Sequence, residues 1–400
     1  MAGAISGMGT TFNLPNYVGE LFSLTPKDTP LLSAIGGLTG GGMTTAPEFE
    51  WQRADLRSPG QNVALEGATA PTGVARVRDN VRNVCEVHQS KVSLSYTKQS
   101  SPGQLTTPSS APYHGVPGTN PVTNELDWQI EQELAAMALD VNWTFINGVY
   151  QLPTDNTTPR KTRGLLAAIT TNVAQKGVVV TGLSSATDTI TETSTARSNG
   201  DSVIFTDTGA ATNVVAGRTY YVVAKATNSF KVATSPGGTG LTLGTATVSV
   251  LAPQTSALDV PTIGAFVQGV FDNGGLTGGE PTFLVNSSQK RAITNTYAAA
   301  YKQADPLIHG NNVGGVAIDQ VETDFGTFNI LLDRHVPQDA IIACSLNQLR
   351  PVFLNVPDKG CFFEEPLAKT GASDDVQIYG EIGLEYGNER AHGVIRGLKV

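Results

Sequence analysis

Hydrophobic spacing changes several times along the chain. Between 124 and 148, NELDWQIEQELAAMALDVNWTFING places Leu126, Ile130, Leu134, Met137, Val141 and Phe145 three or four residues apart, which makes one continuous helix face. Asn124 suits the N-cap, Asp127 the first turn, and Gly148 the close of the helix. About 24 residues at 1.5 Å each make a rod of roughly 36 Å. Trp128, Leu139, Trp143 and Ile146 widen the apolar surface, as a helix lying across a domain requires. Glu131 and Glu133, two apart, point in different directions and read as a solvated face.

Elsewhere the period is two. PEFEWQRADL (47 to 56) sets Phe49 and Trp51 two apart, and VRNVCEVHQSKVSLSY (81 to 96) is rich in β-branched residues, so both read as strands. Between them Arg57, Glu66, Arg76, Arg78 and Asp79 stand among Pro, Gly and Ala, which predicts a long two-stranded ribbon with a polar, charged tip. Such a ribbon is marginal alone and stable when laid on a neighbouring molecule. Residues 1 to 45, broken by Pro15, Pro26 and Pro30 and by GGLTGGG at 36 to 42, read as an extended arm with at most a short helix near 15 to 24. A Pro/Gly/Ser-rich linker covers 101 to 122.

From about Val178 to Leu251 short β-branched runs alternate with turn signals such as Asn199-Gly200, Ala216-Gly217 and Pro236-Gly237-Gly238. This is the rhythm of a small β-sandwich inserted in the chain, without His or Cys. After 257 the pattern becomes alternating helix and strand. Asp259 is a cap, Pro261 lies in the first turn, and Ile263, Phe266, Val267, Val270 and Phe271 form a stripe. PTFLVN (281 to 286), a helix over 287 to 301 and three more strands complete an α/β domain ending near Pro351, after which the chain returns to a strand pair.

With 400 residues and 40% hydrophobic content the chain supports two or three domains, and its 43 glycines and 22 prolines suit a loop-rich, α+β architecture. A net charge of -9 argues against a protein that tracks nucleic-acid phosphates. The basic cluster Arg160, Lys161 and Arg163 reads as local ion pairing. No secretory signal or membrane span is expected. Cys85, Cys344 and Cys361 are far apart and read as buried free thiols of a reducing compartment. The five histidines form no metal-binding motif, no nucleophile elbow or phosphate loop is present, and neither catalysis nor a cofactor is expected.

The succession of a proline-broken arm (TPKDTPLLSAIGG, 25 to 37), a ribbon opening FEWQ (49 to 52), Glu66-Gly67, a long helix followed by TRGLLAAI (162 to 169) and a separate α/β domain resembles a tailed-bacteriophage major capsid protein with the Hong Kong 97-type capsid fold. The resemblance implies an N-terminal arm over 1–45, an extended E-loop over 46–100, a peripheral P-domain with its spine helix over 101–177 and return strands over 355–400, and an axial A-domain over 257–354. Residues 178–251 resemble the immunoglobulin-like inserts that some phage capsid proteins display outside the shell. Also implied are hexamers and pentamers in an icosahedral shell around packaged DNA, assembled in the host bacterial cytoplasm into a virion. The implied partners are a separate scaffolding protein, a portal and cementing proteins, and no membrane is involved. The Lys-Asn crosslink of the fold's namesake is not carried over, because Lys91 and Lys98 lie near the ribbon's base.

Under that resemblance the expected inter-subunit contacts are Arg53, Asp55, Arg57, Glu66, Arg76 and Arg78. Two rivals make different demands. A phage tail or cell-surface adhesin would bind glycan through the β module. A hydrolase would need a pocket in the 257 to 354 domain where two or more of His309, His335 and Asp333 converge.

Overall fold

The computed structural model describes residues 24–57, 59–100, 125–181, 187–192, 197–215, 218–244, 248–252, 256–276, 281–304, 318–369 and 371–400. The helix expected near 15 to 24 falls almost wholly outside the described residues, and so do the linker, Asn124, His114 and His309. The described parts of 1–28, 88–139 and 362–380 form one compact unit, and those of 29–87, 140–361 and 381–400 form another.

The chain enters α1 (Pro30–Ala34) at a proline, whose fixed φ suits a first helical turn, and buries Leu31 and Leu32 there. β1 (Gly42–Thr44) follows, and β2 (Glu48–Ala54) pairs antiparallel with β3 (Arg78–Val84). β4 (Glu86–Ser95) and the single turn α2 (Tyr96–Ser100) come next. The expected long helix is α3 (Glu125–Asn147). It buries Met137, Val141, Phe145 and Ile146, whereas Leu134, expected on the same face, and Trp143 remain 39% exposed. Gly148 follows it and has no room for a side chain: a Cβ there would come within 2.5 Å of the Thr144 carbonyl oxygen and 2.6 Å of that of Thr162. α4 (Leu165–Ala168) and β5 (Val173–Gln175) lead to the insert.

β6 (Val178–Thr181), β7 (Ile190–Thr191), β8 (Ser202–Asp207), β9 (Thr219–Ala226), β10 (Ser229–Ala233) and β11 (Ser249–Ala252) form one antiparallel sheet in the order β6-β11-β8-β9-β10-β7. Its end strands β6 and β7 approach each other, so among the described residues the module encloses its core by curling one sheet. That core includes Val203, Phe205, Tyr220, Phe230 and Val232, with Phe205 edge-on to Tyr220 at 5.2 Å. Val178 lies opposite Ala252, so the module begins and ends about 5 Å apart across one ladder.

α5 (Val260–Asp272) begins as expected: the Asp259 carboxylate accepts the Thr262 N–H at 2.9 Å, and Pro261 sits in the first turn. Ile263, Phe266, Val267 and Val270 are buried, but Phe271 is 51% exposed and meets Phe325 at 5.3 Å. β12 (Pro281–Val285), α6 (Ser287–Ala304), β13 (Gln320–Thr323), β14 (Gly326–Leu332), β15 (Ile341–Ser345), β16 (Arg350–Leu354), β17 (Phe362–Pro366), β18 (Ser373–Glu385) and β19 (Gly393–Arg396) complete the chain. One sheet runs β13-β14-β12-β15-β19-β5, so it takes its last two strands from outside 257–354. Phe283 stacks on Phe328 at 4.3 Å in its core, which α5 and α6 cover with Val267, Val270 and Ile293.

The C-terminal strand pair expected from alternation does not form. β18 pairs with β16 and β17, while β19 joins β15 and β5. What redirects the chain is a polar turn: the buried Glu389 carboxylate accepts the backbone N–H groups of Thr170 and Thr171 and the Thr171 hydroxyl. In the unit containing 362–380, Gly380 lies opposite Phe362, and a Cβ there would come 2.5 Å from the ring. Cys85 and Cys344 are buried free thiols, pushed up to about 12 by burial, whereas Cys361 is partly exposed.

Two buried groups titrate with opposite sign. Burial holds His392 down to about 4, against the hydrogen bond to the Tyr386 carbonyl and the nearby charge of Glu389. Its contribution is present above the ordinary 6.5 and is lost as pH falls toward 4. Burial raises Asp339 to about 6 although its carboxylate accepts the Gly397 N–H, so its contribution is present below the ordinary 3.8 and is lost as pH rises through 6. Between pH 4 and 6 the two offset each other. Asp339→Asn should therefore steepen the fall in melting temperature on acidification from pH 6.5 to 4; parallel pH profiles for variant and parent would refute the assignment.

Candidate assembly surface

The ribbon of β2 and β3 has two unlike faces. Glu48, Glu50 and Gln52 share one with Arg78, Asn80 and Arg82, and their side chains bond diagonally across the strands: Arg78 to Gln52 (3.0 Å), Asn80 to Glu50 (3.0 Å) and Arg82 to Glu48 (3.3 Å). The other carries Phe49, Trp51 and Asn83. Phe49 and Trp51 stack with centroids 6.0 Å apart, Trp51 meets the edge of Tyr386 at 4.8 Å, and its Nε1–H donates to the Gly387 carbonyl at 2.8 Å.

Asn83 anchors the ribbon's root. Fully buried, its Nδ2 donates to the carbonyls of Leu384 (2.7 Å) and Arg163 (3.1 Å), and its Oδ1 accepts the Arg163 N–H (2.8 Å). One side chain thereby joins β3 to β18 and to the segment before α4. Gly383 is part of the same close packing, since a Cβ there would sit 2.7 Å from the Phe49 ring and from the Val84 carbonyl oxygen.

The opposite end is unsupported. Residues 55–57 and 59–77 contain no helix or strand, and Leu56, Val63, Leu65, Val74 and Val77 are each at least 76% exposed. Of the six expected contact residues, three are engaged within the chain. Arg53 pairs with Asp79 at 2.7 Å, Asp55 approaches Arg390 at 3.8 Å, and Arg78 bonds Gln52. Arg57, Glu66 and Arg76 are exposed and have no side-chain partner among the described residues.

A cleft of about 560 Å³ opens at the ribbon's root, lined in part by Arg53, Arg82, Arg163, Tyr150 and Val149. Arg163 lies over the Tyr150 ring at 4.5 Å and donates to the Tyr386 hydroxyl at 3.0 Å. Two residues of the basic cluster thus serve local contacts, Arg163 here and Arg160 in its pair with Glu381 at 2.7 Å. Lys91 pairs with Asp375 at 2.7 Å and Lys98 approaches Glu125 at 3.9 Å.

Asp333 and His335 do converge, at 3.3 Å, but on a structural task. Asn142 donates to Asp333 (2.8 Å) and accepts the Leu32 N–H (2.9 Å), and Asp333 also accepts the His335 N–H (2.8 Å), so the cluster ties α1 to α3. Burial would raise the Asp333 carboxyl, yet the hydrogen bonds from His335 and Asn142 hold it below its ordinary value. None of these partners is a nucleophile, and the described residues contain no cluster of metal-ligating side chains.

The decisive comparison is with sequence families, where the profile of the SU10 major capsid protein matches residues 4–399. The chain belongs to that family. No curated protein matches it. Among solved structures it is similar to a chain of the cyanophage A-1(L) capsid (10% identity, 98% of this chain and 99% of that one, TM-score 0.54). It is also similar to one of the cyanophage P-SCSP1u capsid (10% identity, 100% and 98%, TM-score 0.51) and one of the empty GTA particle capsid (12% identity, 99% and 100%, TM-score 0.50). At these identities the structures show the fold alone, the mixed α+β fold of capsid proteins. This capsid protein has a structural, non-enzymatic role in the shell of a virion, and the adhesin reading is not favoured.

For a capsid protein the informative residues are those that root the ribbon, and sequence reasoning missed them. The alternating charges at 48–52 and 78–82 were visible as a diagonal ladder once the strands were aligned, but Asn83 carries no periodic signal. Asn83→Ala should lower stability by about 2–4 kcal/mol, because it strands the buried Leu384 carbonyl and the part-buried carbonyl and N–H of Arg163. Urea unfolding measures this, and a loss under about 0.5 kcal/mol would mean the root is held by apolar packing alone.

Proposed function

We propose that this capsid protein assembles through hexamers and pentamers into an icosahedral shell around packaged DNA, with the ribbon at 46–100 as the E-loop that reaches a neighbouring subunit. The observation that carries the reading is the contrast within the ribbon: its root is clamped by buried hydrogen bonds, while its tip exposes five large apolar side chains. A tip of that composition gains stability when another surface covers it. Residues 1–45 serve as the N-terminal arm. The spine helix with 101–177 and part of 355–400 makes the P-domain, and 257–354 makes the A-domain, completed in its sheet by β5 and β19. A net charge of -9 suits a wall that releases DNA freely. Assembly in the host cytoplasm relies on a separate scaffolding protein and a portal.

Residues 178–251 act as a decoration on the outer surface, in the role of the immunoglobulin-like inserts but built from one curled sheet. A private core and adjacent first and last strands support this, because such a module leaves its host with a gap of one strand spacing.

Electron microscopy of the purified protein, alone and with its scaffolding protein, should show closed shells or capsomer rings, and a persistent monomer would overturn the reading. Arg57→Glu with Arg76→Glu should cut shell yield while leaving the circular dichroism spectrum unchanged; unaltered shells would remove these two from the contact surface. Replacing 178–252 by a short Gly-containing turn should leave shells of unchanged diameter, and loss of assembly would show the module to be part of the shell wall.

A further inference from the structure

The ribbon tip is chemically uneven. Between 58 and 75 the sequence carries one charge, Glu66, next to Leu65 and two residues from Gln-Asn-Val-Ala at 61–64. That charge is presented by a tight turn: the Ala68 N–H donates to the Leu65 carbonyl at 3.0 Å, and Gly67 has a φ of 76°, the left-handed value that the third position of a type II turn requires. Leu65 is 86% exposed, and Glu66 has no ion pair among the described residues. The turn is therefore a knob with one apolar and one anionic side chain, held at the end of a clamped ribbon.

The cleft at the ribbon's root has the complementary chemistry. Val81, Val149, Ala167 and Ala168 supply apolar surface, and Val149 is 62% exposed in the single chain. Three arginines, Arg53, Arg82 and Arg163, face one acid, Glu389, whose carboxylate is already occupied by Thr170 and Thr171. Arg53 and Arg82 are engaged by Asp79 and Glu48 in exposed pairs, which bind weakly and leave guanidinium donors unused. Arg163 is fixed on Tyr150 and Tyr386, which makes its side of the rim rigid. Among the described residues none fills the cleft or covers the knob, and each copy carries one of each. A contact of knob to cleft joins unlike surfaces, the head-to-tail kind that closes into rings.

We propose that the Leu65–Ala68 turn of one copy seats in the arginine-rimmed cleft of a second copy, with Leu65 on Val149 and Val81 and Glu66 against Arg82 and Arg53. This deepens the shell reading and rests on it. Charge exchange in shells formed by the full chain tests it. Glu66→Arg and Arg82→Glu should each lower shell yield about tenfold, and the two combined should restore most of it. Glu66→Arg shells at the parental yield, or a combined variant no better than either alone, would overturn the contact. Independently, Leu65→Cys with Val149→Cys should give covalent multimers on non-reducing gels from oxidised shells, and neither single variant should. Shells of the double variant that stay monomeric on those gels would overturn the contact while leaving the capsid reading intact. Failure of the unaltered protein to form shells or rings with its scaffolding protein would overturn both.

Discussion

Asn83 holds together three segments that are remote in sequence, and the ribbon is rooted through it. A two-stranded antiparallel pair has no layer beneath it and too little buried surface to be stable alone. Here its root is locked by a fully buried amide that donates twice and accepts from Arg163, where unmade hydrogen bonds are costly. Trp51 adds an apolar brace and a bond to Gly387, and the diagonal ladder of Glu48, Glu50, Gln52, Arg78, Asn80 and Arg82 stiffens the solvent face. The tip is thereby held out from the body without any packing of its own.

The same device recurs at three other junctions between distant segments. Asn142 ties α1 to α3 and to Asp333; Asn172 donates to the carbonyls of Arg390 and His392; Asn286 donates to those of Arg334 and Val336. A buried amide offers two donors and an acceptor with no charge to desolvate, so it can clamp backbone to backbone at lower cost than an ion pair. These clamps specify geometry more than they add stability. A shell needs that, because small angular errors in a subunit are repeated in every copy.

The insert obeys a different constraint. It adds a separate core and returns the chain one strand spacing from where it left, so the host sheet carries on through β5 to β19. The module can then vary independently of its host, and many weak contacts between copies add up to a strong shell without any one residue dominating.

Local physics was legible in the sequence. The long helix, the Asp259 cap with Pro261, the two ribbon strands and the β-rich rhythm of 178–251 all followed from periodicity and capping, which depend on neighbours within one turn or one strand. The motifs also carried the family resemblance. Other features had no local signature. Which sheet each C-terminal strand joins was decided by pairing with residues far away, and alternation in β18 and β19 reads the same in either arrangement. The exposure of Leu134 and Phe271 depended on where other elements stop covering their helices. Asn83 and the arginine-rimmed cleft arose only when β3, β18 and the segment around Arg163 met, because a hydrogen bond between residues hundreds apart leaves no spacing to detect. Sequence alone determined the elements and their order; tertiary structure decided their partners, because hydrophobic periodicity selects a face and only directional polar contacts select what that face meets.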